Sequence, residues 1–173
     1  MAKLRKFSGY KNLERPYTRK SKYRSKSFVR ASPNHKIVRF DMGNPKKKYA
    51  YQLLLNVDDE IQIRHNAIES ARQTSNRLLE KKLGKGEYHF KIRKYPHHIL
   101  RENPLASGAG ADRMSTGMKK SFGKPIGVAA QFKRDETILS VSVNKNQIMT
   151  AKQALIRAKN KFPCSCSIVV VEN

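Results

Sequence analysis

The chain has 173 residues, and its 37 lysines and arginines against 13 acids give a formal net charge of +24. A charge of this size repels itself in a compact chain and predicts a polyanionic partner, most simply a nucleic acid, because neutralised phosphates release counterions. No apolar run reaches the length of a transmembrane helix and no signal peptide is visible, so a membrane partner is not expected.

Residues 1–36 form a basic N-terminal extension in which aromatic residues are interleaved with the cations and Glu14 is the only acid. Serine and proline break its periodicity, so it cannot bury enough apolar surface to fold alone. We expect it to order on RNA, with its cations on phosphates and its aromatic rings on bases. The alternative is a tail whose aromatic rings pack on its own domain. The residues assigned to RNA are Lys3, Arg5, Lys6, Lys11, Arg15, Tyr17, Arg19, Lys20, Lys22, Arg24, Lys26 and Arg30.

Residues 37–173 have the pattern of one globular domain, and its first half reads as strand, strand, helix, strand. A short strand is predicted at residues 37–40, a buried strand at 49–57 and an alternating strand at 61–64, with a turn at Asp58 between the last two. An amphipathic helix begins near Asn66 and ends at Gly84.

The strand predicted at residues 88–95 has two different faces. Tyr88, Phe90 and Ile92 alternate with polar residues and are expected in the core. The basic face suits a phosphate backbone, although a solvated face is the alternative. The residues assigned to RNA here are Lys91, Arg93 and Lys94.

The second half repeats the first. Strands are predicted at residues 128–132 and 138–143, a helix begins at Asn144 or Asn146 and is stopped by Pro163, and a buried strand follows at 166–171. Two strand-strand-helix-strand halves favour an α+β fold, a two-layer α/β sandwich with a mixed sheet, rather than a helical bundle.

A loop of more than twenty residues, 101–125, separates the halves, and loops of that length are usually functional or disordered. It fits no phosphate-binding P-loop, because five residues rather than four lie between Gly117 and the Gly-Lys pair, and Pro125 follows. It fits no dinucleotide fingerprint, because Arg113 occupies the third small position and no strand leads into it. Nucleotide chemistry is therefore not expected.

The sequence predicts no enzyme, no cofactor and no metal site. Cys164 and Cys166 lack a second ligand pair nearby, and reduced, buried thiols are the simpler interpretation. His97 and His98 are interpreted as an RNA-facing or capping pair rather than as metal ligands. No serine has a nucleophile-elbow setting, and no acids are paired for acid–base chemistry.

The motifs of the loop and its surroundings resemble a known family. Glu102-Asn103, the run from Gly108 to Arg113, Thr116-Gly117-Met118 and the run from Phe122 to Pro125 occur in order, with 15–18 and 91–96 as further matches. Together they resemble the large-ribosomal-subunit protein family numbered sixteen in universal nomenclature, in its archaeal and eukaryotic branch. The resemblance covers essentially the whole chain.

The resemblance implies a hammerhead-like α/β sandwich embedded in large-subunit rRNA on a cytoplasmic ribosome, beside other ribosomal proteins and not as a homo-oligomer. It implies that residues 102–120 point towards the peptidyl transferase centre and the acceptor ends of tRNA, with Arg113 as the principal cation, and that rRNA does the chemistry. The residues assigned to the tRNA-facing loop are Ser107, Gly108, Ala109, Gly110, Ala111, Asp112, Arg113 and Met114, and those assigned to rRNA beside it are Lys119, Lys120 and Lys124.

Two further hypotheses remain open from the sequence. A free RNA chaperone or regulatory RNA-binding protein would have a similar charge but no fixed RNA partner. An enzyme with a glycine-loop active site would require nucleotide binding, which the loop's motifs do not favour.

Overall fold

The structure is a computed structural model that describes residues 5–18, 23, 33–103, 108–115 and 122–172. These described residues contain eight strands and two long helices, with 3₁₀ turns at Phe7–Tyr10 and Lys145–Gln147 and a four-residue helix in the central loop. The strands are β1 Asp41–Gly43, β2 Tyr51–Val57, β3 Ile61–Arg64, β4 His89–Ile92, β5 His98–Glu102, β6 Lys124–Phe132, β7 Thr137–Val143 and β8 Cys166–Glu172, and the helices are α1 His65–Leu83, α2 Ala111–Met114 and α3 Ile148–Lys159.

The strands form two sheets. The large sheet has the order β1-β4-β7-β2-β8, and the small sheet has the order β3-β6-β5. The predicted α+β sandwich is confirmed, but the mixed sheet is wrong, because every described pairing is antiparallel. Helix α3 does connect two strands that run in the same direction, β7 and β8, but β2 lies between them and is antiparallel to both.

One continuous, bent ladder joins the two sheets. Strand β2 pairs with β7 from Tyr51↔Val143 onwards, and β3 pairs with β6 as far as Arg64↔Ala129, with one register shift after Leu55. The turn predicted at Asp58-Asp59 is therefore part of a corner, residues 58–60, at which the chain leaves one sheet for the other, and residues 133–136 make the matching corner.

The helices cover one face of the large sheet. Leu53, Phe90 and Val141 from three neighbouring strands are fully buried against them, as the alternation in each strand predicts. The helices are joined by a buried hydrogen bond, 2.9 Å long, from the Ser75 hydroxyl to the Ala154 carbonyl. The small sheet has much less core of its own, since the buried residues described in its separate cluster are only two, Ile99 and Val128.

Four elements differ from the sequence prediction. The last strand, β8, was predicted to be buried, but Val169, Val170 and Val171 are 38–41% exposed. The first strand lies at Asp41–Gly43 rather than at 37–40, where Ile37 is buried without being in a strand. Strand β5 was not predicted, and β6 begins at Lys124, so both ends of the expected loop belong to the small sheet. In the part of the chain that the structure describes, no helix is long and apolar enough to cross a bilayer.

Candidate nucleic-acid interface

The described part of the basic extension, residues 5–18, is called the arm below, and it lies on the small sheet. The Tyr17 N–H donates to Nδ1 of His98 over 2.9 Å, and the Tyr17 carbonyl accepts from the Ile99 N–H over 2.9 Å. At the other end, Nη1 of Arg64 donates to the Arg5 carbonyl over 2.9 Å. The sequence predicted a segment that orders only on a partner, whereas these contacts attach it to the domain.

The aromatic and the basic side chains of the arm lie on different sides of it. Phe7 packs against the main core and Tyr17 against the small sheet's own cluster. Arg5 forms an ion pair with Glu102 at the end of β5. The arm therefore presents cations to the outside while its rings face the protein. Besides Arg5, which is paired with Glu102, its exposed cations are Lys6, Lys11 and Arg15.

A stack of three side chains ties the arm to both stems of the central loop. The Arg101 guanidinium lies 4.8 Å from the Tyr17 ring centroid and 3.9 Å from that of Phe122. The two rings meet edge to face at 5.4 Å, and Nη1 of Arg101 donates to the Phe122 carbonyl over 3.1 Å. No local sequence pattern indicates this role of Arg101, because its partners are distant along the chain.

The basic face of β4 lies opposite the helices. Nζ of Lys91 is 3.4 Å from a carboxylate oxygen of Asp41 on β1, and Nε of Arg93 donates to the Ser140 hydroxyl on β7 over 2.8 Å. The Lys91 side chain remains 42% exposed, and exposed pairs of this kind are weak. Both cations therefore remain accessible to a phosphate backbone.

Lys94 is already partnered. It forms an ion pair with Glu136, and its ammonium lies 5.1 Å from the Phe132 ring centroid. Burial acts to raise the pKa of the Glu136 carboxyl, but hydrogen bonds from Lys94 and from the Lys133 N–H outweigh it, so this pKa is lowered. Lys94 thus holds the corner between the sheets as well as adding charge to the surface.

The described centre of the loop, residues 108–115, is a short helical turn. Gly110 has a φ of +79° immediately before α2, and its carbonyl accepts from the Arg113 N–H over 3.1 Å. Among the described residues, no atom lies within 4 Å of where a Cβ on Gly110 would be. Arg113 is exposed, so its side chain is available at the surface of the loop.

The remaining predicted residues divide into two groups. Lys124 is exposed at the start of β6, and the side chains of Asp112 and Met114 are not described. The predicted residues that lie outside the described part of the chain are Lys3, Arg19, Lys20, Lys22, Arg24, Lys26, Arg30, Ser107, Lys119 and Lys120.

Neither the cysteines nor the histidines form a metal centre among the described residues, where no group of three or more metal-ligating side chains occurs. The thiols of Cys164 and Cys166 are free and 3.8 Å apart. His97 is exposed and its ring lies 4.6 Å from that of Tyr95, while His98 is buried and holds the arm. The paired histidines therefore have different surroundings and different roles.

Comparison with known proteins identifies the family. The sequence profile described as "Ribosomal protein L16p/L10e" matches residues 14–169. The chain belongs to this family. It is 45% identical over 170 residues to the large ribosomal subunit protein uL16 of Methanococcus maripaludis strain S2, covering 98% of this chain and 95% of that protein. It is 44% identical over 168 residues to the protein of the same name from Methanococcus aeolicus, covering 96% and 94%.

Family membership shows what kind of protein carries these basic surfaces. The chain is a ribosomal protein, and its role is that of a structural component rather than an enzyme. The resemblance drawn from the loop motifs is thereby confirmed, and the match extends from the arm to the last strand.

Proposed function

We propose that the chain is built into the large ribosomal subunit in the cytoplasm, where the arm and the basic face of β4 bind large-subunit rRNA. The central loop extends towards the peptidyl transferase centre and the acceptor ends of tRNA. Neighbouring ribosomal proteins complete its surroundings, and the rRNA carries out the chemistry. The relatives' name, large ribosomal subunit protein uL16, supports the assembly.

The observation that carries the rRNA-binding proposal is the polarity of the arm. Lys6, Lys11 and Arg15 are exposed along a backbone that the small sheet already holds in place. A preformed row of cations loses little conformational freedom when phosphates bind, which favours affinity. Phosphate contacts of this kind position a protein on RNA without reading its sequence.

A salt titration of rRNA binding tests the arm. Each cation that neutralises a phosphate contributes about 0.7 to 0.9 to the slope of log affinity against log salt concentration. Replacing Lys6, Lys11 and Arg15 together by glutamine should therefore lower that slope by roughly 2 to 3, because three phosphate contacts are lost.

A charge-matched control lies on the helical side of the molecule. Lys81, Lys85 and Lys152 are also exposed, and their replacement by glutamine removes the same charge from a surface to which we assign no RNA. Equal slopes for the two triple variants would mean that net charge, not the arm, sets the affinity. Recovery of the unaltered chain away from large subunits after a moderate-salt wash would contradict the assembly itself.

The loop proposal rests on the exposure of Arg113 and on the rigid stems below it. A guanidinium can fork onto a phosphate or stack on a base. Arg113→Ala should impair tRNA-dependent steps of translation in subunits that contain the variant, while its unfolding curve stays unchanged. The matched control is Arg157→Ala, an exposed arginine on α3. Equal activity of the two variants would remove Arg113 from this role.

A further inference from the structure

A cavity lies where the arm, the β4–β5 connection and the corner between the sheets meet. Its volume is about 340 Å³, which is within the range of small-molecule sites. It is distinct from the exposed cations of the arm, because Lys6, Lys11 and Arg15 are not among its lining residues.

The walls of the cavity are largely apolar and aromatic. Leu13 and Pro16 come from the arm, Phe132 from the end of β6, and Tyr95 and His97 from the β4–β5 connection. Leu13 is 36% exposed and Tyr95 is 42% exposed. These two residues are therefore apolar surface that the folded chain leaves partly uncovered.

Tyr95 is held as a flat platform rather than as a mobile side chain. Its ring stacks on Phe40 with centroids 5.5 Å apart and planes 25° apart. His97 packs beside it at 4.6 Å, and the Tyr95 hydroxyl lies 3.2 Å from Nε2 of His35. A fixed aromatic face with its edges supported is what base stacking requires.

The polar groups at the cavity could recognise the edge of a base. His98 lines it and is 5% exposed, and its Nδ1 accepts the Tyr17 N–H. In the neutral ring, the proton is then on Nε2, which is a donor. Glu14 and Glu60 also line the cavity and supply acceptors, and Lys133 is exposed beside it.

We propose that this cavity binds one unpaired nucleotide of the RNA partner, with its base stacked on the Tyr95–His97 wall and its phosphate near Lys133. The proposal rests on the proposed rRNA-binding function and names a part of the RNA that the exposed cations alone do not require. An extruded base suits the site because single-stranded RNA is read by aromatic stacking combined with hydrogen bonds to base edges.

An RNA nucleotide fits the site better than an apolar peptide does. The chain carries a net charge of +24, so it concentrates polyanions at its surface. The cavity combines aromatic walls with a donor, two carboxylate acceptors and a lysine at its edge, which matches a base and its phosphate. A purely apolar side chain would leave those polar groups without partners.

The test compares single-stranded with double-stranded RNA. The probes are oligoadenylate and oligocytidylate of about twelve nucleotides, and a duplex of the same length, each titrated against the full chain at several salt concentrations. Tyr95→Ala should weaken single-strand binding roughly 5- to 150-fold. The salt slope should not change, because no phosphate contact is lost. Duplex binding should also be unchanged.

Two variants control for the chemistry and the position of the ring. Tyr95→Phe keeps the stacking face and should retain the single-strand affinity within about twofold. Tyr51→Ala removes a ring from the opposite end of β2, away from the corner, and should have no effect. If thermal melting shows that Tyr95→Ala is unfolded, His97→Ala removes the other, exposed part of the same wall and is tested in its place.

The outcomes separate the cavity from the wider function. Unchanged single-strand affinity in a folded Tyr95→Ala chain, or an equal loss on duplex RNA, would overturn the nucleotide site while leaving rRNA binding intact. Unchanged RNA affinities with defective entry into subunits would assign the cavity to another protein and also overturn it. Failure of the unaltered chain to bind either RNA would contradict both proposals.

Discussion

Gly123, where the central loop rejoins the small sheet, provides a test of whether the stems of the loop are rigid. Its φ is +79°, and an added Cβ would lie 2.6 Å from the Glu102 carbonyl carbon and 2.8 Å from the Asn103 nitrogen. A left-handed conformation costs a non-glycine residue about 1–2 kcal/mol. Relieving the overlap also separates β6 from β5 and removes ladder hydrogen bonds worth about 1 kcal/mol each. Gly123→Ala should therefore lower the free energy of unfolding by about 2–4 kcal/mol.

Gly110 supplies the matched control, because it has the same φ of +79° but no described atom lies within 4 Å of the position of a Cβ. Gly110→Ala should lower the free energy of unfolding by about 1 kcal/mol or less. Alanine has fewer unfolded conformations than glycine, and this offsets part of the strain in the folded chain. Urea unfolding measures both values, and the melting temperature of Gly123→Ala should fall by roughly 5–15 °C. Similar small losses for the two variants would refute the idea of a rigid stem, because the overlap would then relax at no cost.

Three further predictions concern other contacts. Arg101→Lys keeps the charge but loses the planar stack, so amide exchange around Phe122 should accelerate about tenfold; unchanged exchange would mean that the stack does not hold the loop. Burial lowers the pKa of His98, with Glu14 opposing and Arg101 adding to the shift. Its neutral ring therefore stabilises the fold above the unfolded-state pKa of about 6.5, and this is lost as the pH falls below it. His98→Gln should flatten that decline in urea unfolding between about pH 7 and pH 5. Ser75→Ala should cost about 1 kcal/mol by the same assay, because it removes the buried hydrogen bond that joins α1 to α3.

Local patterns were sufficient to predict most of the helices and the central strands. Phe90 and Ile92 are buried as their alternation predicts, and α1 ends before Gly84, whose N–H bonds back to the Glu80 carbonyl. In each case the pattern lies within one or two turns of helix or within one strand. Such periodicity depends only on neighbouring residues, so a single sequence contains it.

The arm and β5 could not be predicted in the same way. Tyr17 binds His98 and Ile99 far along the chain, and on the Tyr17 side both bonds use main-chain groups, which meet the His98 ring and the Ile99 N–H. The run at His98–Glu102 has three buried residues followed by two half-buried ones, so it does not alternate. When a segment is held by long-range contacts of its main chain, its composition predicts its charge but not where it lies in the fold.

Because the bent ladder joins the two sheets, a mutation that destabilises the large sheet also affects the small one. Among the described residues, the small sheet has only Ile99 and Val128 in its own buried cluster, yet it anchors both the arm and the loop. The stability of the small sheet therefore depends on the helix-covered large sheet, to which the two corners join it. Amides of β5 should exchange with solvent well before those of β2. A core substitution that creates a cavity beneath the helices should accelerate amide exchange at the loop first. Core mutations far from any RNA would then be expressed as defects of translation.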